Sequence, residues 1–106
     1  MGSWYVVEPG GVIRKASMLE ASEWFESCSA VPFMTGGRQA DRDTVAGSVV
    51  STVFLGLDHG HNAVPILFET LVFGGQLDGN GERYSTYDEA VAGHAKWVNK
   101  AKESAQ

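Results

Sequence analysis

The chain has 106 residues, with 8 Lys plus Arg against 13 Asp plus Glu and a formal net charge of -5. A chain of this length builds one modest core, so residues 1–106 are expected to form a single domain, and the acidic balance argues against charge-driven binding of a nucleic-acid polymer. The single cysteine, Cys28, rules out an intrachain disulfide and a paired-cysteine zinc ribbon, and no run approaches the roughly 18 apolar residues of a membrane span.

The opening WYVV, followed by EPGG and VIRKA, predicts two short strands about a Pro-Gly-Gly turn, because Pro presets one turn dihedral and Gly accepts positive φ. The start has neither the basic residues nor the apolar run of a signal peptide, so a soluble cytosolic protein is expected. Myristoylation is not expected, since Val6 stands where that motif needs Ser or Thr. Ser17 lies three residues before Glu20, the reciprocal capping pattern, and predicts a helix over Met18–Ser27. Its expected apolar stripe is Leu19, Trp24, Phe25 and Cys28, with Glu20, Glu23 and Glu26 on the solvated side.

AVPFMTGGRQADRDTVAG is punctuated by Pro32 and Gly36-Gly37, and reads as a loop leading into a short or edge strand near Arg42–Val45. SVVSTVFLGL and PILFETLVF are β-branched and aromatic-rich, and predict two central strands flanking a connection that holds His59 and His61. Both faces of these strands are apolar: Val49, Val53 and Leu55 alternate with Val50 and Phe54, and Ile66, Phe68 and Val72 with Leu67, Leu71 and Phe73. Two helices suffice for one face, so a second copy is expected to cover the other, making a homodimer or higher homo-oligomer. GGQLDGNGERYS reads as a turn leading to a last short strand at Glu82–Tyr84. Thr86, three residues before Glu89, opens a final helix with Tyr87, Ala90, Val91, His94, Trp97, Val98 and Ala101 on its apolar stripe and lysines toward its end. The expected fold is α+β: an antiparallel β-sheet with a central long hairpin, an N-terminal hairpin, and two helices packed on one face.

Asp58, His59 and His61, with Glu69 or His94 near them, are residue types that suit zinc or manganese. Adjacent ligands on an irregular loop rarely converge, and neither helical His-x-x-x-His nor paired cysteines occur, so a polar hairpin loop is the preferred reading and no metal or cofactor is expected. His94 is expected as an interior histidine bonded to a neighbour, with proton transfer as the alternative. Ser51, Ser85 and Cys28 sit in no strained nucleophile turn, which argues against a hydrolase triad. Arg38, Arg42 and Arg83 could grip a phosphate or carboxylate, with hydroxyls from Thr44, Ser85 or Thr86 and amides from the helix start. The competing reading has Arg38, Asp41, Arg42 and Asp43 pairing off in solvent.

VVSTVFLGLDHGHNAVPILFETLVFGG followed by ERYSTYDEAVAGH resembles a widespread family of small, mostly uncharacterised proteins of bacteriophages and prophages, whose shared wording is close to VSTVFLGLDH…P-LFETMVFGG…RYSTWDEAEAGH. The resemblance covers Val50 to His94, with Leu71 in place of the usual Met, Tyr87 in place of Trp, and a connection of variable length after His59. It implies no activity, but it moves emphasis from His61 to Asp58, His59, Glu69, Thr70, Arg83, Tyr84, Thr86 and His94. Small phage proteins commonly act by binding. The resulting expectation is a phage-encoded, non-enzymatic homo-oligomer in the cytoplasm of the infected bacterial host, sequestering a small anionic, nucleotide-like immune signal as a counter-defence protein. Its expected ligand-binding residues are Arg38, Arg42, Thr44, Asp58, His59, Glu69, Arg83, Tyr84, Thr86 and His94. The alternatives are a protein-binding inhibitor of a host defence complex and a metal-dependent hydrolase using Asp58 and His59.

Overall fold

Gly10 and Gly11 both adopt positive φ, and Gly11 N donates to Glu8 O, which folds β1 (Ser3–Glu8) back on β2 (Val12–Ala16) as an antiparallel pair. These details come from a computed structural model, which describes residues 2–28, 30–58 and 64–105. Ser17 caps α1 (Met18–Ser27) by accepting from Glu20 N, as its spacing predicts. The predicted α1 stripe holds only in part: Trp24 and Cys28 turn inward, whereas Leu19 and Phe25 are exposed. Ala21 and Cys28 are buried and Leu19 is 69% exposed, because Trp24 anchors the helix by donating to Gly36 O and so turns the 21, 24, 28 row inward.

A second sheet has the order β3-β4-β6-β7, all antiparallel, built from β3 (Gln39–Val45), β4 (Ser48–Phe54), β6 (Phe68–Phe73) and β7 (Gly81–Tyr84). The short or edge strand expected near Arg42–Val45 is an edge strand that starts earlier, at Gln39, and its polar residues meet solvent. Ala46 and Gly47 turn β3 into β4, both at positive φ, the geometry that matches strand twist in a two-residue hairpin. The first long apolar run splits. β4 ends at Phe54, Gly56 takes φ 81°, and β5 (Leu57–Asp58) joins the N-terminal hairpin to make a three-stranded sheet β2-β1-β5. The second run forms a strand only from Phe68, beyond Pro65, which has no amide to donate.

On β4 and β6 one face carries Ser48, Val50, Thr52 and Phe54 beside Phe68, Thr70 and Val72, all buried. α2 (Tyr87–Ser104) lies on this inner face and completes a capping box between Thr86 and Glu89. Phe33, Phe54, Phe68 and Tyr87 form an aromatic cluster in which Phe33 stacks on Tyr87 with centroids 4.7 Å apart. Trp24 of α1 meets Phe54 edge-on at 5.8 Å, so both helices reach the same face. Phe33 comes from the segment read only as a loop, yet it is 2% exposed. The opposite face carries Val49, Ser51 and Val53 beside Glu69, Leu71 and Phe73, with Phe73 52% exposed.

Candidate functional site

A β-bulge shifts the β3 register between Gln39 and Asp41, so that Asp41 stands opposite Thr52 and Asp43 opposite Val50 on the inner face. Without the extra residue, Ala40 would occupy the position opposite Thr52 and both carboxylates would turn outward. His94 of α2 projects between them. It is 2% exposed, its Nε2 lies 2.8 Å from Asp43 Oδ2 and 3.6 Å from Asp41 Oδ2, and its Nδ1 lies 2.7 Å from Thr52 Oγ1. The interior-histidine expectation therefore fits its position.

The bonds continue through the core. Thr52 Oγ1 lies 2.6 Å from Thr70 Oγ1, the Tyr84 hydroxyl donates to Thr70 at 3.2 Å, and the same hydroxyl lies 3.4 Å from Glu82 Oε1. Glu82 in turn pairs with Lys96 and accepts from Trp97 Nε1 at 3.1 Å. Thr52 and Thr70 are fully buried, so neither hydroxyl can meet a substrate, and the Asp43-His94-Thr52 arrangement is a buried relay and not a nucleophilic triad. Every hydrogen has an acceptor when Tyr84 donates to Thr70, Thr70 to Thr52, Thr52 to His94 Nδ1, and His94 Nε2–H to Asp43. Burial pushes the Tyr84 phenol above its ordinary value, and the hydrogen bond from Lys96 holds Glu82 below its own.

The other candidate residues fall in several places. Arg42 and Thr44 are exposed on β3, on the face opposite His94, and Arg83 pairs with Glu69 at 2.9 Å on that same outer face. Arg42 and Arg83 stand on the two edge strands, three strand spacings across the sheet and two residues apart in register, so their Cα atoms are roughly 16 Å apart. Arg38 is engaged elsewhere: its guanidinium covers the Phe25 ring at 3.7 Å and its Nε donates to Phe54 O. Burial pulls that guanidinium below its ordinary value, with Cys28 opposing. Asp58 is buried on β5 and accepts from Ile66 N at 3.2 Å. Thr86 serves as the α2 cap, and His59 and His61 lie outside the described residues.

Of the predicted set, only Tyr84 and His94 share one constellation. Asp41, Asp43, Thr52, Thr70 and Glu82, which complete it, were not among the expected ligand-binding residues. Two signals for them exist: Asp41-x-Asp43 has the spacing that puts two carboxylates on one side of a strand, and Thr52 and Thr70 are hydroxyls inside otherwise apolar runs. The fold and site thus define a two-sheet α+β protein with a buried hydroxyl-histidine relay ending at surface carboxylates. No protein-family model matches the chain, and no curated protein or solved structure matches it either.

Proposed function

We propose that this is a phage-encoded, non-enzymatic binding protein that assembles with copies of itself through the outer face of the four-stranded sheet. The assembly holds a small anionic, nucleotide-like ligand and sequesters it as a host immune signal. The observation that carries this reading is the outer face itself: Val49, Val53, Leu71 and the exposed Phe73 on its two central strands, interspersed with Ser51 and Glu69, and Arg42 and Arg83 on the edge strands. An apolar centre rimmed by charge is the pattern of an association surface. Both arginines lie on this one face, and their long side chains can converge from the two edges on one anion. Among the described residues Arg42 has no ion-pair partner, which leaves its fork available.

Calorimetry with cyclic and ADP-ribose-like nucleotides tests the ligand. The expected result is saturable binding, weakened at least tenfold by Arg42→Ala or Arg83→Ala, with the nucleotide recovered intact. Recovery of a converted nucleotide would replace this reading with an enzyme, and absence of binding to all of them would remove the anion.

A further inference from the structure

We propose that Asp41, Asp43 and His94 form a mononuclear site for a divalent ion of the zinc or manganese type. One imidazole nitrogen and two carboxylate oxygens lie within 4.8 Å of one another, a mixed donor set that these borderline ions prefer. Metal bonds of about 2.1 Å at tetrahedral or octahedral angles place neighbouring ligand atoms roughly 3.0–3.4 Å apart. The observed separations from Nε2, 2.8 Å and 3.6 Å, fall on either side of that range. Rotation of the two half-exposed carboxylates, whose oxygens lie up to 4.8 Å apart, would seat the ion.

The fold positions each donor. The carboxylates are two residues apart on one strand, brought to this face by the bulge, and about half exposed, which leaves coordination positions open toward solvent. Among the described residues their only ion-pair partner is His94 itself, so no lysine or arginine neutralises them. The imidazole is enclosed by the helix and sheet, with Nε2 directed at both carboxylates and Nδ1 held by Thr52. A second-shell bond to the far ring nitrogen is what orients a metal-binding histidine.

The hydroxyl chain provides independent support, because it can serve both states of the ring. Without metal, the Nε2–H donates to Asp43 and the chain points inward from Tyr84. With metal on Nε2, the ring hydrogen must sit on Nδ1 and donate to Thr52. Thr52 then donates to Thr70, Thr70 to Tyr84, and Tyr84 to Glu82 Oε1, so no buried group loses its partner.

Isothermal titration of the full chain with Zn²⁺ in a non-chelating buffer at pH 7 tests the site. One saturable equivalent per chain is expected, weakened at least tenfold by Asp41→Asn and by Asp43→Asn, both partly exposed positions whose folding circular dichroism verifies. Thr52→Val should weaken it 10- to 100-fold as a positioning residue, and His59→Ala with His61→Ala should leave it unchanged. Absence of a saturable equivalent, survival of full affinity in both Asp variants, or loss of binding in the paired histidine variant would each overturn the proposal.

Discussion

Thr52 Oγ1 lies 2.7 Å from His94 Nδ1, joining residues 42 positions apart at the buried centre of the interface between sheet and helix. This contact ties the surface carboxylates of β3 to the hydroxyls of β6 and β7. It also fixes how α2 sits on the sheet, since a buried polar group tolerates only the few placements in which its partners are in reach.

Thr52→Val preserves shape and removes the hydroxyl, leaving one ring nitrogen of His94 without a partner. Urea denaturation should show a loss of about 1–3 kcal/mol, the cost of an unsatisfied buried polar group. Thr70→Val should be destabilising as well. The double variant should cost less than the sum of the two, because the residues share one network.

Gly93→Ala should disturb the same network from the helix side. A Cβ on Gly93 would sit 2.1 Å from the Tyr84 hydroxyl and 2.2 Å from its ring carbon, so the tyrosine has to move. A destabilisation of about 1–3 kcal/mol is expected from this overpacking. Tyr84→Phe in the Gly93→Ala background, read by thermal melting, should not recover it, because the ring carbons at 2.2 and 2.3 Å remain.

The predicted elements were legible where local chemistry and long-range packing agree. The Ser17 and Thr86 caps both form, and the acidic first turn of α2 sits where its spacing places it. Leu19 lies off the inward row of α1 although it satisfies helical periodicity equally well, because only the distant Gly36 carbonyl selects the side of Trp24 and Cys28. The split of the first apolar run at Gly56 was hidden for a related reason: partnership with β1 is a contact far along the chain. The site was half legible. His94 stood out as a histidine on an apolar stripe, but Asp41 and Asp43 face it only because of a bulge that no local signal announces.

The Glu82–Lys96 pair should give the fold an acid limit near Trp97. Lys96 holds the Glu82 carboxyl below its ordinary 4.5, with Trp97 Nε1–H assisting, so its contribution is present above that pH and is lost as pH falls through the depressed folded value. The same pair raises Lys96 above 10.5, so that side of the contribution is present below 10.5 and is lost as pH rises through the raised folded value. Trp97 fluorescence followed from pH 7 to pH 2 should therefore change below about pH 4.5 in the natural chain. Glu82→Gln should remove that step and leave the signal flat until global unfolding.

Native mass spectrometry of protein purified from bacteria, compared with its Leu71→Asp/Phe73→Asp variant, tests the central claim most directly. Carboxylates at the centre of the outer face would be buried without partners in the assembly, whereas both positions lie on the solvent side of the single chain. The natural chain should appear at two or more times the single-chain mass, with part of the population carrying the added mass of a small organic anion, and the variant at the single-chain mass. A natural chain that is monomeric at every concentration, or a variant that assembles unchanged, would contradict it.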